Sequence, residues 1–356
     1  MREVAAHVKP PKIAGEASTS RSPALRQGLP YGAVMATAGA SSMAGRCGLP
    51  SLVAPLLALA VLQAVWIPVA GALRHRAEFR CGWASWLEIG PASEHTGIHT
   101  VPLGMAVITS GMSGLNSSLA AWPWLPPPFA WLVATWLLTV AGGGRFACSL
   151  AVHGLQLKAM DGTWFLVPAT LLGAAIATGD VATFMWGHAF ATLEILALMS
   201  VALGWLGYCA VAVVALARLR RFGLENAPLA PWWIAMGCAG LAAAALGRVS
   251  HIVAGEVHLR TLLSETMVAT SIFSIALCVP VLLGSARFLL RYCRFRNAAV
   301  WTPTFSTAVF ALGSFQVGSD LPSAFFRSIG FAAGLATLVF WTVTAGWNLP
   351  RRMSMC

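Results

Sequence analysis

The chain has 356 residues, 58% of them hydrophobic and only 10% charged. Soluble globular domains carry about 25% charged residues, so 23 Lys+Arg and 12 Asp+Glu are too few to coat a water-facing surface. These numbers exclude a soluble fold, a disordered chain and a secreted disulfide scaffold, and they leave a polytopic membrane protein.

In chain order, residues 1–28 come first. They are polar, contain Pro10, Pro11 and Pro23, and lack the apolar core of a signal peptide. They read as a disordered cytoplasmic tail. A bilayer core of about 30 Å needs about 20 apolar helical residues. Ten apolar runs follow, near 30–46, 50–73, 98–121, 129–153, 164–180, 187–217, 229–248, 262–288, 301–318 and 324–347. Together they form one transmembrane domain over 29–348, and 349–356 is a short C-terminal tail. The expected fold is all-α.

An even number of spans puts both termini on one side. That side collects most of the basic residues: Arg2, Lys9, Lys12, Arg21 and Arg26 in the tail, Arg74, Arg76 and Arg80 after the second span, and Lys158 after the fourth. Arg218, Arg220 and Arg221 follow the sixth, Arg287, Arg291, Arg294 and Arg296 the eighth, and Arg351 and Arg352 the tenth. Basic loops stay inside, so both termini are expected in the cytoplasm, on a cell-membrane protein. The net charge of +11 therefore reports topology, not nucleic acid, whose binders gather Lys and Arg on one face. The eight cysteines include no C-x-x-C pair and read as small buried hydrophobes.

Odd and even spans differ in style. The odd ones carry a proline near their start, at Pro30, Pro102, Pro168, Pro231 and Pro303, and continue in Gly, Ala, Ser and Thr. The even ones are longer and bulkier. Five similar helix pairs suggest five similar places in a ring. Small residues let helix backbones approach closely. Five odd helices inside and five even ones outside satisfy both styles. Such a ring encloses either a central pore or a solid packed bundle.

Three segments carry a family resemblance: Val34 to Gly39 in the first span, Trp164 to Pro168 opening the fifth, and Trp301 to Phe305 opening the ninth. With the ten-span count, the chain resembles the tellurite-resistance/dicarboxylate transporter family. That family includes a bacterial tellurite-resistance permease, a fungal malate permease and sulfite efflux pump, and the slow-type anion channels of plants. The resemblance implies a ring of five helical hairpins, a pore through each protomer, a homo-trimer, and a Phe in the ninth helix that closes the pore. Here that Phe is Phe305. The family pattern has an aromatic where Pro303 stands, and Pro or Gly where Ser306 stands. A bend at Pro303 is expected to push Phe305 toward the axis. Phe310 and Phe315 are rivals on the same helix.

A permeating ion must have its hydration replaced. The odd spans also offer Ser42, Ser110 and Ser306, and the hydroxyls expected to line the pore are Thr37, Ser41, Thr109, Ser113, Thr170, Thr304 and Thr307. The competing fate of each is a bond to its own helix backbone. The odd helices start on the cytoplasmic side, each start worth roughly +0.5 charge. With Arg291, Arg294 and Arg296 they make the inner mouth positive and draw in small anions: C4-dicarboxylate, sulfite, tellurite, halide or nitrate. A proton-coupled carrier for dicarboxylate or sulfite is the alternative, with Glu194 and Glu265 as intramembrane carboxylates. Their place on even spans points to structural roles, with Arg145 a candidate partner for one of them. A membrane redox or metal enzyme is the remote alternative. His95 and His99 stand at i, i+4, but no H-E-x-x-H motif, catalytic triad or phosphate loop is present. No catalytic residue, metal or cofactor is expected.

Overall fold

The computed structural model describes residues 31–74, 96–118, 126–183, 188–223, 232–253, 255–292 and 301–353. These form ten α-helices: α1 (Tyr31–Arg46), α2 (Val53–Arg74), α3 (Thr100–Ser118), α4 (Pro126–His153), α5 (Leu166–Ala182), α6 (His188–Phe222), α7 (Trp233–Ile252), α8 (Val257–Tyr292), α9 (Trp301–Asp320) and α10 (Ala324–Met353). No strand occurs among the described residues. Each apolar run has become one helix. Among the described residues, seven helices are long and apolar enough to cross a membrane. The protein is an all-α polytopic membrane protein.

The odd helices close a ring. α1 packs on α3, α3 on α5, α5 on α7, α7 on α9, and α9 returns to α1. They run parallel, because neighbours meet at matching heights: Gly39 beside Ala308, Gly104 beside Val34, Gly173 beside Leu103, and Gly179 beside Arg248. Each even helix covers a seam. It packs on its own hairpin partner and more lightly on the next inner helix. Burial follows this division. The spans of α5 and α7 are 78% and 94% buried, whereas those of the five even helices are 22–28% buried. Leu62, Leu137, Leu206, Leu283 and Val343 stand exposed on the even helices, as lipid-facing side chains should.

Glycine makes the tightest inner contact possible. A Cβ on Gly240 would lie 2.6 Å from the Phe310 Cα, and one on Gly313 would lie 2.3 Å from the Gly240 carbonyl oxygen. No side chain fits there, because the neighbour is backbone and cannot turn aside. The small residues of the odd spans are thus required by helix-to-helix distance.

Prolines begin the inner helices. Pro102, Pro168 and Pro303 are each the third residue of their helix. First-turn amides have no intrahelical acceptor, so a missing N–H costs nothing there. This corrects the expectation of a bend at Pro303. Pro303 starts α9 and does not interrupt it.

Candidate functional site

Phe305 lies in the first turns of α9 and is 4% exposed. It belongs to a buried apolar cluster that draws on all five inner helices, through Met35, Leu103, Leu172 and Ala239 besides Phe305 itself, and also on outer helices through Phe146, Tyr208, Met267 and Phe326. Phe310 faces elsewhere. Its cluster holds Trp233 and Met236 of α7 with Ile275 and Cys278 of α8 and Phe340 of α10, so it packs toward the outer layer. Phe315 packs beside Met43, Ala308 and Ala311, and the Arg46 guanidinium sits 5.7 Å from its ring centre. The three phenylalanines of α9 therefore have three different surroundings.

The seven predicted lining hydroxyls divide the same way. Thr109, Thr170 and Thr307 bond carbonyls of their own helices, at 2.9, 2.8 and 2.8 Å. Ser41 donates to the Val53 carbonyl at 2.7 Å, tying the α1–α2 corner. Thr37 accepts from the Trp341 indole at 3.1 Å, and Thr307 accepts from Thr337 at 3.0 Å. Both donors belong to α10, so these two hydroxyls are turned to the outer layer. Two of the seven keep unused capacity. Ser113 and Thr304 are buried with hydroxyl oxygens that have no hydrogen-bond partner, and Ser306 next to Phe305 is the same. A buried hydroxyl without a partner retains the desolvation penalty that a passing ion or water would relieve. Ser306 is among the hydroxyls that the odd spans offer to a transport path.

At the N-terminal end of the ring, short 3₁₀ turns brace the helix starts. The Asp161 carboxylate accepts from the Thr163 amide at 2.9 Å, and the Thr163 and Thr96 hydroxyls meet at 2.7 Å. Burial pushes the Asp161 carboxyl up from its ordinary range, while its bonds to Thr163 and the charge of Arg218 oppose the rise. Arg218 is itself buried, 5.8 Å from the Trp232 ring centre. Arg220, Arg221 and Lys158 are exposed. Of the expected inner-mouth cations, Arg291 lies on the backbone of α8 just before its end, and Arg294 and Arg296 lie outside the described residues. So do Glu94 and His95. His99 is buried edge-on to Phe146 and against Gly142. Glu194 is half-buried on α6, and Glu265 is exposed on α8 beside Arg260.

The opposite, C-terminal end of the ring holds a charged constellation that sequence reading did not assemble. Arg248 of α7 pairs with Asp180 of α5 at 2.5 Å. Asp180 also bonds Ser110 of α3. His251 of α7 meets Asp320 of α9 at 2.9 Å, and Gln316 donates to Asp320 at 3.2 Å. Arg46 ends α1. The available signal was positional: four of the five odd runs carry a charged residue at or near their C-terminal end.

A model of the voltage-dependent anion channel family matches residues 30–348. No curated protein matches the chain.

Proposed function

Because the chain belongs to the voltage-dependent anion channel family, we propose that small anions cross the membrane along the axis of its inner ring, past a gate formed by Phe305. Family membership makes the protein a membrane anion channel or transporter in general. The observation that carries the finer reading is the surroundings of Phe305. It is the α9 aromatic whose buried cluster draws on all five inner helices, with outer-helix residues joining the same cluster, and it is the Phe at which the family resemblance places the gate. An apolar plug excludes water, and a dry constriction blocks an ion without any charge. Ser113, Thr304 and Ser306 would then offer their unused hydroxyls to an anion once the plug moves. A weak polar lining selects by how easily an anion sheds water, which suits halide, nitrate, sulfite, tellurite and C4-dicarboxylate alike.

The basic loops support an orientation with both termini in the cytoplasm of the cell membrane. Five parallel helix starts then face inward and add positive potential at the inner mouth. An inside-negative voltage drives a monovalent anion outward by about 2.3 kcal/mol per 100 mV. The family resemblance supports a homo-trimer with one pore per protomer. Chemical crosslinking in native membranes tests it.

The deciding experiment compares Phe305→Ala with Phe310→Ala in liposomes, as anion conductance per folded protein. A plug leaves a hole when truncated, so Phe305→Ala raises conductance while Phe310→Ala does not. Unchanged or lower conductance in Phe305→Ala removes it from the gate. The same liposomes separate channel from coupled carrier. Flux set by voltage alone marks a channel, and flux that follows a pH gradient marks proton coupling.

A further inference from the structure

We propose that the C-terminal mouth of the ring is a small-anion binding site, held by the guanidinium groups of Arg46 and Arg248, with Asp180 as a built-in counter-charge that competes with the anion for Arg248. The inference rests on the family-level reading of an anion pathway and adds a second site to it, at the end away from Phe305.

The contacts at this mouth trace the whole ring. Arg46 of α1 lies near Phe315 of α9, Asp320 of α9 meets His251 of α7, Arg248 of α7 pairs with Asp180 of α5, and Asp180 bonds Ser110 of α3. One interaction also crosses it. α1 is not a ring neighbour of α5 or α7, yet Arg46 is within electrostatic reach of both Asp180 and Arg248. Two arginines on helices that are not ring neighbours therefore stand at the same end of the ring, and the charge of each acts on Asp180.

Accessibility fits an ion path. Arg46 is exposed, and the side chains of Arg248 and Asp180 are 34% and 16% exposed, so water reaches the pair. Field direction fits as well. Five parallel helices end here, each contributing roughly −0.5 charge equivalent. An anion arriving at this mouth would meet that negative field. Arg46 and Arg248 offset it where the anion must pass. The two acidic groups are not equivalent. Asp320 is held by His251 and Gln316 on the α7–α9 side. Asp180 alone is tied to the arginine pair, so anion entry is an exchange of one carboxylate for another anion on Arg248. A purely structural clamp between α5 and α7 would need Arg248 and Asp180 but no role for Arg46.

The test reads binding and permeation separately. Purified protein is melted in increasing nitrate at constant ionic strength, with gluconate as the balancing anion. Nitrate stabilises the wild type and Phe305→Ala. Arg46→Gln weakens apparent nitrate affinity by up to about fivefold, the scale of one partly exposed charge pair. Arg46→Lys restores it, and Asp180→Asn strengthens it by a similar factor. In liposomes under a KCl gradient, Arg46→Glu lowers the anion-to-cation permeability ratio, more at low salt than at high salt. If Arg46→Gln binds nitrate as the wild type does, or Asp180→Asn fails to strengthen it, the site is wrong. If Arg46→Gln does not fold, Arg46→Lys and Asp180→Asn still decide. If no variant passes ions while nitrate binding follows Arg46, the pathway reading fails and the binding site stands.

Discussion

The inner and outer helices of this protein are inserted in the same membrane, yet they solve opposite problems. The inner five meet protein on every side. Their positions are filled by Ala, Gly, Ser and Thr, because a neighbouring backbone sits where a larger side chain would go. The outer five meet lipid on one side. They carry Leu, Val, Phe and Trp outward and bury little. The helices deepest in the structure are therefore not the most lipophilic. Close packing, not hydropathy, selects their residues.

The contrast breaks first at the α7–α9 crossing. Gly313→Val places a branched side chain against the Gly240 carbonyl. Size-exclusion chromatography in detergent is expected to yield no folded protein. Normal recovery would mean the inner helices are free to separate. Next in size is Phe310→Ala, a truncation in the seam between the layers. Burial at 6% exposure predicts a loss of roughly 3–5 kcal/mol. Thermal unfolding checks it, and a loss below about 1 kcal/mol would mean that the seam repacks. Trp341→Phe keeps most of the ring volume but removes the donor to Thr37. It should cost about 1 kcal/mol, and Thr37→Val in the same background should add little because the bond is already gone. Asp161→Ala removes the cap of the turn before α5 and should cost about 1 kcal/mol. Asp161→Asn keeps an acceptor and should cost less. The smallest effect belongs to the outer face of α4. Nothing lies within 4 Å of a Cβ on Gly144, so Gly144→Ala should be neutral or stabilise by up to about 1 kcal/mol. A loss there as large as that of Gly313→Val would erase the distinction between the layers.

Much of this was legible before any coordinates. The ten helices fall on the ten apolar runs, and the alternation of small and bulky spans corresponds to the inner ring and its covering layer. Of the site, Phe305 was legible through the Trp301 to Phe305 segment. Its separation from Phe310 was not. Five residues on a helix of 3.6 per turn are about 140° apart, and sequence does not say which of those directions is the axis. The surroundings of the expected lining hydroxyls differ for the same reason. Thr37 and Ser113 look alike in their runs, yet one is bound by Trp341, 304 positions away, and the other has no partner.

Membership of the membrane class, the number of helices and the division into two kinds of helix were determined by sequence alone. Each depends on local composition, which the bilayer and the packing distance read directly. The rotation of each helix about its own axis, and the pairing of Arg248 with Asp180 at the mouth where α1 also ends in Arg46, were decided only by tertiary structure. Those three residues span 202 positions, from 46 to 248, and ring closure between α9 and α1 is what brings the end of α1 to the same mouth. Charge reaches across a ring only after the ring exists.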